Sequence, residues 1–100
     1  MTESNQTNLA GVNRPIQIIP SVLPADWANM GSCVKELEEA GVDRIEFDVM
    51  DGNFVPNLTF GPEMISACRK YCNVPFETQL MVSHRCSCIK ACDGRKGCII

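Results

Sequence analysis

The chain has 100 residues and a formal net charge of -3, from 9 basic and 12 acidic side chains. That length holds one domain at most, and the mild acidity gives no electrostatic case for nucleic acid or an anionic membrane. Its hydrophobic content of 45% is ordinary for a globular protein, and no apolar run approaches the ~20 residues that span a bilayer. No signal-peptide core is visible, so the reading predicts a cytoplasmic location with reduced cysteines.

Residues 1–14 are rich in Asn, Thr, Ser and Gln without periodicity, and predict a disordered lead-in. Residues 16–23 form a β-branched apolar run, read as a first strand that ends near Pro20. Pro24, Ala25 and Asp26 open a helix with Asp26 as candidate cap. Trp27, Met30, Val34 and Leu37 recur at helical spacing, and Gly41 is the expected stop. A second strand follows over 43–50, broken by Asp51-Gly52-Asn53. Pro62 opens a second helix whose apolar face carries Ile65, Cys68 and Cys72. Residues 74–82 predict a third strand, and Cys98-Ile99-Ile100 the start of a fourth. Strand, helix, strand, helix, strand is the pattern of a parallel α/β sheet. Pattern alone leaves a barrel and an open doubly wound sheet tied.

Side chains alternate across a strand. In 43–50 this sends Ile45, Phe47 and Val49 to one face, and Glu46, Asp48 and Met50 to the other. In 74–82 it separates Phe76, Thr78 and Leu80 from Glu77, Gln79 and Met81. The apolar set suits packing against helices. The other face then carries carboxylates inside a sheet, at a cost of several kcal/mol unless they are paired or bind a cation. Ser21, Asp48, Met50, Gln79 and Met81 fall near the C-terminal ends of adjacent strands, where α/β folds bind ligands. The alternative is a structural hydrogen-bond network, or strand-end acids that cap nearby helices.

Four runs name a family. Ile19-Pro20-Ser21-Val22-Leu23-Pro24-Ala25-Asp26-Trp27 comes first, and Phe47-Asp48-Val49-Met50-Asp51-Gly52-Asn53-Phe54-Val55-Pro56-Asn57 is a signature block. Leu58-Thr59-Phe60-Gly61-Pro62 and Gln79-Leu80-Met81-Val82 continue it in order. Over residues 16–83 the chain resembles the N-terminal part of the ribulose-phosphate 3-epimerases. The resemblance implies the first βα units, about three, of a (β/α)8 TIM barrel over 15–100, with residues 84–100 a divergent tail. It implies an isomerase that interconverts D-ribulose 5-phosphate and D-xylulose 5-phosphate in the pentose phosphate or carbon-fixation pathways, by removing a proton at C3 and returning it on the other face. Asp48 matches one of two catalytic aspartates and a metal ligand. Ser21 matches a substrate-contacting serine, and Met50 and Met81 line the pocket, although methionines also fill cores. The family implies a divalent metal (zinc, iron, manganese or cobalt), a small sugar-phosphate partner, no nucleic acid or membrane, and a homo-oligomeric parent.

The chain departs from that pattern. Glu46 and Gln79 stand where the family has histidines, so the implied metal set is Asp48, Glu46 and Gln79, oxygen donors that suit magnesium or manganese better than zinc. The family's second aspartate and glycine-rich phosphate loop lie on later strands, so the chain by itself is expected to be inactive and to fold poorly. Cys86, Cys88, Cys92 and Cys98 with His84 lack paired C-x2-C zinc spacing and are read as incidental. Competing readings are a non-catalytic remnant that binds a sugar phosphate or partner subunit, and a redox or metal-binding protein acting through the cysteine tail. The loop 53–57 is expected to be structural, shaped by Phe54 and Pro56.

Overall fold

In the computed structural model, residues 16–85 and 98–99 are described. A 3-10 turn over Trp27–Asn29 leads into helix α1, Met30–Ala40. Strand β1 is Ile45–Met50, helix α2 is Pro62–Arg69, strand β2 is Phe76–Met81 and strand β3 is Cys98–Ile99. The strands form one parallel sheet in the order β1-β2-β3. Parallel neighbours need a long crossover, and α2 supplies it between β1 and β2. The register sets Glu46 against Glu77, Asp48 against Gln79 and Met50 against Met81. Phe76 pairs with Cys98 and Glu77 with Ile99.

The expected first strand is present only as a ladder fragment. Ser21 makes a lone parallel bridge with Glu46, through Glu46 N–H to the Pro20 carbonyl (2.9 Å) and Val22 N–H to the Glu46 carbonyl (3.1 Å). Further back, Asp43 N–H reaches the Ile18 carbonyl at 3.0 Å, and Ile18 N–H donates to the Asp43 carboxylate at 2.7 Å. The segment therefore runs along β1 without becoming a regular strand. Pro20 and Pro24 have no N–H to give, and the chain turns away at Leu23. Ile16, Ile18 and Ile19 stay exposed.

The first helix also starts later than its proline suggests. Asp26 does cap, accepting Ala28 N–H at 3.1 Å, but what it caps is the 3-10 turn. Gly41 ends α1 as expected, at φ 92°, a conformation that favours glycine. Cys72 lies beyond the end of α2 and not on its face, yet it is buried. There the chain is held by Arg69, whose Nη2 donates to the carbonyls of Cys72 (2.7 Å) and Val74 (2.6 Å). The expected lead-in and most of the cysteine-rich tail fall outside the described residues.

The core lies between the sheet and the helices. Ile45, Phe47 and Val49 from β1 pack with Phe76 from β2, Met30 and Val34 from α1, and Ile65 and Cys68 from α2. The predicted alternation holds: these strand residues are buried on the helix side. Phe47 stands between Phe76 (centroids 4.8 Å apart) and Phe60 (5.8 Å), and Phe60 meets Trp27 edge-on at 5.0 Å. Edge and tilted contacts suit the ring quadrupoles. The Arg69 guanidinium lies 3.8 Å from the Phe76 ring centroid and closes that side.

Candidate active site

With one face of the sheet given to the helices, the other carries polar groups. Glu46 and Asp48 from β1 lie beside Glu77 and Gln79 from β2, in register, with Met50 and Met81 paired beyond them toward the C-terminal ends. Asp48 is buried, Glu46, Met50 and Met81 are half-buried, and Gln79 is exposed. Register thus sets Glu46, Asp48 and Met50 beside Glu77, Gln79 and Met81, while Cys86, Cys88 and Cys92 fall outside the described residues.

Ser21 joins them from the edge segment. Its hydroxyl donates to Asp48 Oδ2 at 2.8 Å and accepts Leu23 N–H at 3.2 Å. With the backbone amide on its lone pair, the serine proton is directed at the carboxylate. A buried carboxylate needs such a donor. Ser21 is thus placed by the turn at residues 23–25 and Asp48 by the strand.

The lower part of this face is crowded with negative charge. Burial pushes the Glu46 carboxyl above its usual value, and the neighbouring charges of Asp48 and Glu77 push it the same way. Arg44 offsets part of this through a 3.3 Å ion pair between its Nη1 and Glu77 Oε2. Arg44 Nε is buried without a hydrogen-bond partner among the described residues.

The rim is built by residues that sequence reasoning did not single out. Asp51 Oδ1 accepts the N–H groups of Asn53 and Phe54 at 2.8 Å each, and Oδ2 accepts Ser83 N–H at 2.8 Å. These bonds hold the Asp51 carboxyl below its usual value, Ser83 contributing most. Asn53 Nδ2 adds a 3.0 Å bond to Ser83 Oγ. The loop after β1 is therefore tied to the end of β2 by Asp51. Phe54 and Pro56, expected to shape it, are exposed. The Asp-Gly-Asn run is a turn signature that pointed to Asp51. Thr59, which bonds the backbone of β1, carried no such signal.

Among the described residues no three His, Cys, Asp or Glu side chains group to hold an ion. Glu46, Asp48 and Gln79 offer oxygen only, and one oxygen of Asp48 is engaged by Ser21. This set does not fit a zinc or iron centre, which favours nitrogen or sulfur ligands. A groove of about 310 Å³ lies elsewhere, between residues 20–25 and the Cys33, Glu36 and Leu37 side of α1. It shares only Ser21 with the carboxylate face. No helix of the described residues is long and apolar enough to cross a membrane.

The family model of the ribulose-phosphate 3 epimerase family matches residues 17–99. Over 71 residues the chain is 46% identical to the ribulose-phosphate 3-epimerase of Rhodobacter capsulatus, covering 71% of this chain and 31% of that protein. Over 67 residues it is 45% identical to the ribulose-phosphate 3-epimerase of Bacillus subtilis, covering 67% of this chain and 31% of that protein. The chloroplastic ribulose-5-phosphate-3-epimerase of Arabidopsis thaliana is 46% identical over 67 residues, 67% of this chain and 24% of that protein. The chain thus spans less than a third of the length of these relatives. The matched stretch includes the edge segment that brings Ser21 to Asp48 and both strands of the polar face, and the chain belongs to the ribulose-phosphate 3 epimerase family.

Proposed function

We propose that this chain supplies one half of the proton-transfer site of an epimerase acting on D-ribulose 5-phosphate, with Asp48 as the acid/base. The observation that carries the reading is the Ser21–Asp48 bond: a buried carboxylate, held by one directed donor, at the C-terminal end of a parallel strand. The family membership supports the substrate class. In this reading β1, β2 and β3, with the edge segment, belong to a (β/α)8 barrel whose later strands complete the site.

The carbon to be inverted lies next to a ketone, so its proton is weakly acidic. The Asp48 carboxylate takes that proton and the electron pair moves onto the ketone oxygen, giving an enediolate. A second acid/base, from outside this chain's described strands, returns a proton to the opposite face. The Gln79 amide, in register with Asp48, donates a hydrogen bond toward the enediolate oxygen without adding charge. Met50 and Met81 form the apolar wall around the reacting carbon and exclude water. No step is routed through a metal ion: the oxygen-only donors do not suit zinc or iron, and among the described residues no three His, Cys, Asp or Glu side chains gather to hold manganese or cobalt. A cytoplasmic role in pentose phosphate metabolism follows from the same reading.

The reading is tested by grafting. Residues of this chain replace the 67 matched residues of the Bacillus subtilis relative. The graft is expected to epimerise D-ribulose 5-phosphate. A folded but inactive graft would show that Glu46 and Gln79 do not sustain the chemistry.

A further inference from the structure

The backbone that carries Asp48 has a gap in its ladder. On the side facing the edge segment, Glu46 donates to the Pro20 carbonyl and accepts Val22 N–H. Continuing that parallel register by two residues brings the Asp48 carbonyl opposite residue 24. Residue 24 is proline and has no N–H. The Val22 carbonyl is itself taken by Ala25 N–H at 3.0 Å as the chain turns away. A carbonyl beside a buried carboxylate is thereby left without its ladder donor.

Thr59 fills the gap from the far end of the loop after β1. Its Oγ1 donates to the Asp48 carbonyl at 2.7 Å and accepts Met50 N–H at 2.8 Å. Its own N–H donates to the Met50 carbonyl at 3.0 Å. One threonine therefore meets three backbone groups of Asp48 and Met50 that no strand reaches on that side. Such groups are costly to leave unpaired when buried. Alanine or valine here removes both side-chain bonds, whereas serine keeps them.

We propose that Thr59 is a positioning residue for Asp48: its hydroxyl supplies the hydrogen bond that Pro24 cannot, and so fixes the direction in which the Asp48 carboxylate meets Ser21 and the substrate. This rests on Asp48 being the acid/base. It also gives the loop 51–59 a route to the reacting group, because whatever moves Thr59 moves the end of β1.

The test uses the full chain, labelled with 13C in its aspartates, valines and isoleucines, as wild type, Thr59→Val and Thr59→Ser. Valine matches threonine in shape and lacks the hydroxyl. The Asp48 carboxyl resonance is expected to shift in Thr59→Val while core signals such as Val34 and Ile65 stay in place, and Thr59→Ser is expected to restore it. An unmoved Asp48 resonance in Thr59→Val, or a serine variant that fails to restore it, overturns the proposal. If Thr59→Val loses its cooperative fold, Thr59→Ser decides alone, since displaced Asp48 signals with the hydroxyl retained contradict the role. In the active graft, Thr59→Val is expected to lower kcat about tenfold or more with KM little changed. An equal rise in KM instead would mark a general loss of the site. The resonance arm needs no turnover, so failure of the positioning role is separable from failure of the Asp48 assignment, which Asp48→Asn reports.

Discussion

The Ser21 hydroxyl lies between Leu23 N–H and Asp48 Oδ2, accepting the first at 3.2 Å and donating to the second at 2.8 Å. The residues are 27 apart in sequence and meet because the edge segment runs parallel to β1 in the register of the Ser21–Glu46 bridge. Removing the hydroxyl leaves a buried carboxylate short of its donor. Ser21→Ala is expected to destabilise the chain by about 1–3 kcal/mol, read as a shift in denaturant midpoint. A midpoint equal to wild type would mean that water replaces the hydroxyl without cost.

Phe47 is fully buried and touches both Phe76 and Phe60. Truncating it opens a cavity where β1 meets the helices. Phe47→Ala is expected to cost about 3–5 kcal/mol, enough to abolish a cooperative transition in a small domain. Circular dichroism through a denaturant titration checks this, and a retained sharp transition would place the core elsewhere.

Much of this was legible in the sequence. The period-2 alternation of β1 and β2 separates Ile45, Phe47 and Val49 from Glu46, Asp48 and Met50, and the structure keeps the same division. That works because the rule is local and depends on the pleat alone. The edge segment was harder. Its β-branched composition reads as a strand, but strand pairing is a ladder property, and Pro20 and Pro24 interrupt the donors. Cys72 fits the helical spacing of Ile65 and Cys68 yet lies past Arg69, where the helix has ended. Thr59 was not legible at all. Its importance follows from the register of the Ser21–Glu46 bridge, which if continued would meet Pro24 at Asp48, and register is a tertiary fact.

Asp51 ties two loops through one carboxylate, and its amide partners differ in how a substitution treats them. Asp51→Asn keeps one oxygen for Asn53 and Phe54 N–H but cannot accept Ser83 N–H through an amide nitrogen. Faster hydrogen exchange is expected at Ser83, with smaller changes at Asn53 and Phe54. The carboxyl sits below its usual value of 3.8, so it favours the folded state when ionised. Its contribution is complete above the unfolded value and is lost as pH falls through the lower folded value. The difference between wild type and Asp51→Asn is therefore expected to shrink on acidification below pH 3.8. A difference that grows there would reverse the sign.

The buried thiols have a chemical signature. Burial pushes Cys68 up to about 11, with Cys72 and Cys33 adding to the rise, and burial raises Cys72 as well. Thiolate is the reactive form, so both react slowly at neutral pH. Thiol titration of the folded chain is expected to modify half-buried Cys33 before Cys68 and Cys72, which label at the rate of unfolding. Prompt labelling of Cys68 would show that α1 and α2 do not pack as described.

In the proposed reaction Asp48 moves the proton at C3. Its most direct test follows the C3–H signal of D-ribulose 5-phosphate by proton NMR in D2O, with the active graft and its Asp48→Asn variant. The graft is expected to exchange that proton for deuterium, and Asp48→Asn, folded and nearly isosteric, to abolish the exchange. Exchange at the wild-type rate in Asp48→Asn would contradict that role and leave Asp48 a structural partner of Ser21.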